Sequence, residues 1–177
     1  MNREEILKSL KNEDSKQHIL SKLTQINDPE IIQEMIVLFD DDRIEIRGEV
    51  FSSLFLNEND IFESLVCGIK HESKNVRAYV TLVLANRNEK RAIQEIQTLT
   101  NDPSGLVRTC AYGALGHLEA KQCTKELHDG VFDSNIEAVK SASYALSRIG
   151  ENISEKENES IRKYDDPDFE KILRFFN

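Results

Sequence analysis

The chain has no tryptophan and only three prolines, seven glycines and three cysteines in 177 residues. So few Gly and Pro leave too few turn signals for the many short strands of an all-β protein, while plentiful Leu, Ile, Glu, Lys and Ala favour helix. Cys67, Cys110 and Cys123 are odd in number and form no C-x-x-C pair. They fall in helical patterns rather than disulfide-rich loops, so they are expected to be small core or near-surface helix residues. No run approaches the roughly eighteen apolar residues of a membrane span. The opening MNREEILKSLKNEDSK alternates charges where a signal peptide carries an apolar core, which points to the cytoplasm. Basic residues are also scarce: 23 Lys and Arg against 32 Asp and Glu give a formal net charge of −9. A sequence-independent grip on nucleic acid, built from many Lys and Arg contacts to phosphate, is therefore not expected. The 39% hydrophobic and 31% charged content is that of a globular chain with a very polar surface. The expectation is one all-α domain over residues 1–177.

Residues 105–120, GLVRTCAYGALGHLEA, place Val107, Ala111, Ala114, Leu115 and Leu118 on one helical stripe. The small residues Ala111, Gly113, Ala114 and Gly116 suit the close approach of a second helix. The same pattern recurs in IRGEVFSSLFL, VRAYVTLVLAN and AVKSASYALSR, led by Arg47, Arg77 and Val139. Three residues on, these copies carry Val50, Val80, Ala111 and Ala142; seven on, Leu54, Leu84, Leu115 and Leu146. Positions 47, 77, 108 and 139 are separated by 30, 31 and 31 residues, which is the signature of an array. Lys16, 31 residues before Arg47, opens a degenerate earlier copy with Ile19 and Leu23 in the apolar places.

A second apolar pattern lies between successive first helices: Ile32, Met35 and Ile36; Phe62, Leu65 and Val66; Ile93 and Ile96; Cys123 and Leu127. Each copy is thus a helical hairpin. Local chemistry marks helix starts at Asp28-Pro29 and Asp102-Pro103, with a capping carboxylate before proline. Asp60 with Glu63 and Ser134 with Glu137 have capping-box spacing. Such a hairpin cannot bury its apolar face alone, so neighbours stack on a shared core. The expected architecture is a short right-handed α-α superhelix of about five hairpins over 12–40, 41–70, 71–101, 102–132 and 133–163, with a C-terminal capping helix in 165–177. Residues 151–160 are nearly devoid of apolar side chains and are expected as a loop or a weak, exposed helix. In the tail, Asp166 caps, Pro167 opens the helix, and Phe169, Ile172, Leu173 and Phe176 line one stripe.

The V-R-x-x-A-x-x-A-L-G core, complete in VRTCAYGALG and partial elsewhere, resembles the short HEAT-like repeats first described in phycobilin lyases, over residues 12–150. An acid six positions before the Arg is typical of that family, and Asp41 before Arg47 and Asp102 before Arg108 match it. Asp133 stands at the same spacing before Val139, while His71 replaces the acid before Arg77. The resemblance implies a ladder of Asp and Arg bonds between adjacent repeats, which would make Asp41, Arg47, Arg77, Asp102, Arg108 and Asp133 structural. Arg–carboxylate forks suit that task, since they fix orientation as well as charge. The departures at His71 and Val139 interrupt it.

Enzymatic alternatives fare less well. His18, His71, His117 and His128 raise a metal hypothesis, and His71-Glu72 is similar to the His-Glu pairs of HEAT-repeat deoxyhypusine hydroxylases. There the pairs follow the repeat Arg, whereas here Arg47, Arg77 and Arg108 are followed by Gly-Glu, Ala-Tyr and Thr-Cys. No metal, cofactor or catalytic residue is expected. A bilin-lyase-type enzyme or a purely structural, homo-oligomeric protein remains the alternative to a protein-interaction module. Aligning the second helices on Met35, Leu65, Ile96 and Leu127 brings Gln33, Glu63, Gln94 and Lys125 to an inner, concave wall, with Glu34, Glu95, Glu126 and Arg91 beside them. A protein or peptide segment is the expected partner, with no nucleic acid and no membrane.

Overall fold

The computed structural model describes residues 1–176, all of whose regular elements are helical. They group into two compact units, Met1–Arg87 and Asn88–Asn177. The first holds α1 (Arg3–Leu10), α2 (Lys16–Leu20), α3 (Pro29–Val37), α4 (Ile44–Phe55), α5 (Phe62–Gly68) and α6 (Lys74–Asn86). The second holds α7 (Ile93–Thr98), α8 (Gly105–His117), α9 (Thr124–Gly130), α10 (Ile136–Ile149), α11 (Glu155–Arg162) and α12 (Pro167–Leu173).

In α4, α6, α8 and α10 the repeat positions behave identically. Val50, Val80, Ala111 and Ala142 are each 0% exposed, as are Leu54, Leu84, Leu115 and Leu146. Met35, Leu65, Ile96 and Leu127, on the shorter helices α3, α5, α7 and α9, are equally buried. The two patterns therefore converge on one apolar layer within each unit. The degenerate first copy is a short α2, with Ile19 and Leu23 buried. It is covered by α1, which is closed by a capping box between Asn2 and Glu5 and buries Ile6 and Leu10.

Helix starts differ from expectation at several places. Asp28 caps α3 and Asp166 caps α12, each followed by proline. Asp102, however, accepts the N–H of Ser104 at 2.8 Å, and α8 begins only at Gly105. Asp133 does the same for Asn135 at 2.7 Å, so Asn135 rather than Ser134 caps α10, bonding the N–H groups of Glu137 and Ala138. Asp60 bonds the N–H of Phe62 at 3.3 Å and Ile61 holds the cap position of α5. Each of these acids closes an Asx turn ahead of the helix rather than capping it. Of the loop or exposed helix expected over 151–160, the helix forms: α11 is closed by a capping box between Ser154 and Glu157 and is exposed at Glu155, Lys156 and Glu159, but it buries Glu157 and Ile161.

Close backbone approach is built into the second unit. A Cβ on Gly116 would lie 2.7 Å from the Ala145 Cα, so α8 and α10 meet there through glycine. A Cβ on Gly130 would strike the Tyr112 ring and the Ala142 methyl. At Gly113 the nearest atom is the Ser141 hydroxyl, 3.9 Å away, so that glycine is not needed for packing. Left-handed backbone recurs at Asn88 (φ 56°), Glu119 (φ 54°) and Gly150 (φ 78°), each 31 residues from the next. The last element, α12, packs on α10 and α11 through Phe169, Ile172 and Leu173.

Candidate functional site

The charged positions of the repeat serve mainly to tie helices together. In the first unit the Lys16 ammonium bonds the Asp41 carboxylate and, at 2.6 Å, Glu13. Burial alone would raise the Asp41 carboxyl; the bonds from Lys16 and from Arg43 outweigh it and hold the carboxyl below its ordinary range. Arg47 donates to the carbonyls of Asp41 at 2.6 Å and Asp42 at 3.1 Å. Among the described residues it has no carboxylate partner, because His71 occupies the place where one would stand. The His71 Nδ1 instead accepts the N–H of Ser73 at 3.0 Å, copying the turn-forming role of the aspartates. Arg77 makes the same backbone staple as Arg47, to the carbonyls of His71 at 2.8 Å and Glu72 at 2.7 Å.

In the second unit Arg108 grips Asp133 with both arms of its fork, Nε to Oδ2 and Nη2 to Oδ1, each 2.7 Å. Its Nη1 donates to the Asp102 carbonyl at 2.8 Å. Burial pushes the Asp133 carboxyl up, but the Arg108 and Asn135 donors overrule it and its pKa falls. Val139, standing where the next Arg would be, is fully buried. Its neighbour Lys140 takes over, with Nζ 2.7 Å from the Asp166 carboxylate and 3.7 Å from Asp168. The rung has slipped by one residue and lands on the N-cap of α12.

The proposed wall is more varied than its register suggests. In the first unit Glu63 is exposed on α5, but Gln33 is half-buried and donates to the Ser64 carbonyl at 2.7 Å, bridging α3 to α5. Glu34 pairs with Lys11 at 3.1 Å. In the second unit Gln94 and Lys125 are exposed, and Arg91 is exposed beside Glu89 at 3.0 Å. Glu95 and Glu126 are half-buried, and the Glu95 Oε2 is enclosed without a hydrogen-bond partner. Glu63, Gln94 and Lys125 thus project from second helices in the expected register and Arg91 from the turn just before α7, while Gln33 and Glu34 are committed to holding helices.

Of the three cysteines, Cys67 is exposed on α5. The Cys110 and Cys123 thiols are buried and pushed up to about 11, far from the thiolate a nucleophile needs. His128 lies 2.7 Å from Glu157, a buried carboxylate that sequence reasoning did not single out. Its only sequence signal is the Ser154-x-x-Glu157 spacing of a capping box. Among the described residues no group of three or more His, Cys, Asp or Glu is placed to hold a metal ion, and no helix is long and apolar enough to cross a membrane.

Residues 62–147 match the family model of HEAT repeats. Among solved structures, the chain is similar to one from the complex of CpcE and CpcF of phycocyanin lyase from Nostoc sp. PCC7120 (TM-score 0.69, 16% identity, covering 85% of this chain and 100% of that one). It is also similar to a designed armadillo repeat protein in complex with the peptide (KR)4 (TM-score 0.54, 18% identity, 98% of each chain covered). A computationally designed armadillo repeat protein for modular peptide recognition gives TM-score 0.57 at 17% identity, covering 98% of this chain and 99% of that one. No curated protein matches the chain. These likenesses identify the fold as an all-α repeat solenoid of the HEAT and armadillo kind.

Proposed function

We propose that this chain is a non-enzymatic, cytoplasmic protein-interaction module that holds a protein or peptide segment on the exposed faces of its second helices. The observation that carries this reading is one of register. Glu63, Gln94 and Lys125 each stand exposed two positions before a fully buried anchor, Leu65, Ile96 or Leu127. Side chains so placed project from fixed helices of each unit, which suits each unit to hold part of an extended or helical segment by modest contacts. The net charge of −9 favours a partner segment that is basic or mixed in charge and draws it in from a distance. A solenoid neighbour holding the alternating Lys-Arg peptide (KR)4 supports the same chemistry. The alternative, a bilin-lyase-type enzyme subunit, rests on likeness to the phycocyanin lyase complex in fold alone, and a fold does not carry an activity.

The test is affinity capture from the source cell with the wild-type chain and with a Glu63→Lys, Gln94→Lys variant. The variant is expected to lose the captured partner at low salt while its melting temperature stays nearly unchanged, since exposed charges contribute little to folding. Undiminished capture by the variant overturns the reading.

A further inference from the structure

One surface of the first unit does no work within the chain. Along α4, Ile44 is 66% exposed and Phe55 43% exposed, with Phe51 half-buried between them. Gly48 completes the series, and the spacing 44, 48, 51, 55 puts all four on one side of the helix. The Phe51 and Phe55 rings stack, with centroids 6.2 Å apart. A Cβ built on Gly48 meets nothing within 4 Å. A helix-interior glycine is destabilising relative to alanine, and no neighbour in the chain uses the space it leaves.

Glu45 and Glu49 stand along one flank of this stripe, while Arg47 stands along the other and is held by the carbonyls of Asp41 and Asp42. Asp42, Glu45, Glu49 and Glu58 have no ion-pair partner among the described residues. Elsewhere in the unit, Asp28 and Glu30 pair with Arg3, Glu34 with Lys11, and Asp41 with Lys16. Glu45 and Glu49, both on α4, thus set unneutralised carboxylates beside the exposed apolar side chains. A second copy packed antiparallel on the stripe would set Glu45 and Glu49 against their own equivalents, a like-charge contact that opposes pairing.

We propose that the solvent face of α4 docks an amphipathic helix of a partner protein, apolar along one side and carrying lysine or arginine beside it. Gly48 admits the partner backbone, Ile44, Phe51 and Phe55 supply the apolar contact, and Glu45 and Glu49 meet the basic flank. The site lies on a first helix and is independent of the second-helix faces.

The probe is a fluorescein-labelled helical peptide with leucine along one side and lysine flanking it, together with its twin in which every lysine is glutamate. Anisotropy titrations on the full chain are expected to show binding of the lysine peptide and none of the twin. The Ile44→Ser, Phe55→Ser variant, with an unchanged thermal melt, is expected to bind about tenfold more weakly or worse. Glu45→Gln, Glu49→Gln is expected to flatten the salt dependence of binding. Equal affinity for wild type and the Ile44→Ser, Phe55→Ser variant overturns the proposal. So does loss of binding in Glu63→Lys alone, which would place the peptide on the second helices and leave the reading of those faces standing. A dimer of the free chain that dissociates in the Ile44→Ser, Phe55→Ser variant overturns it too, in favour of a second copy.

Discussion

Lys140 Nζ lies 2.7 Å from the Asp166 carboxylate, joining α10 of the last hairpin to the N-terminus of the helix that follows it. The contact replaces a rung that Val139 cannot make, and Phe169, under the same ammonium at 5.8 Å, is 2% exposed. A solenoid must cover its terminal apolar layer, and this pair fixes the cover in place. Lys140→Met is therefore expected to speed tryptic cleavage at Arg162 and Lys163 and to lower the melting temperature, whereas Lys140→Arg is expected to leave both near wild type. Proteolysis followed by mass spectrometry checks it.

Two glycines of one helix should behave oppositely. Gly116→Ala drives a methyl into the Ala145 backbone and is expected to destabilise by about 1–3 kcal/mol, the usual range for overpacking. Gly113→Ala meets only the Ser141 hydroxyl, at an ordinary contact distance of 3.9 Å, and is expected to stabilise by about 0.5–1 kcal/mol through helix propensity. Urea denaturation of the two variants measures the difference.

The left-handed positions give a second opposed pair. Glu119 holds φ 54° with a side chain that disfavours it, so Glu119→Gly is expected to stabilise by about 0.5–1 kcal/mol. Gly150 already has the residue its φ of 78° calls for, and Gly150→Ala is expected to cost about 1 kcal/mol. Thermal melts distinguish the two directions.

Acid should loosen the charged ties. The carboxyls of Asp41, Asp133 and Glu157 are each pushed up by burial but held below their ordinary ranges by their donors. A carboxyl whose folded pKa is depressed adds stability that is present above its unfolded pKa, about 4, and is lost as pH falls through the folded value. Stability is thus expected to be level near neutrality and to drop below about pH 4. Asp133→Asn should be less stable at neutral pH and lose less on acidification, as read by urea midpoints across that window.

The first helices were legible because each copy buries the same side chains: Val80 and Leu84 in α6 obey the spacing seen in Ala111 and Leu115 in α8. Lys16, 31 residues before Arg47, marked a degenerate first copy, but nothing in that spacing showed that its ammonium would bond Asp41. Helix α11 was harder to see, because its buried residues are one isoleucine and a charged Glu157 whose partner His128 lies 29 residues away. The caps expected at Asp60, Asp102 and Ser134 misled for a local reason: Asp60, Asp102 and Asp133 each bond the N–H two residues on without starting a helix. The wall was legible as a register but not as a surface. Gln33 shares the spacing of Glu63 and Glu34 that of the adjacent set, yet their bonds to Ser64 and Lys11 depend on packing that periodicity does not encode.

The central claim, that second-helix faces hold a protein partner, is tested most directly by photo-crosslinking. A benzophenone amino acid placed singly at Glu63, Gln94 and Lys125, and at the exposed first-helix residue Glu137 as a control, would be irradiated in the source cell. The account predicts adducts to the same protein from the second-helix positions of each unit and none from Glu137. Adducts from Glu137 with none from Glu63, Gln94 or Lys125 would contradict it.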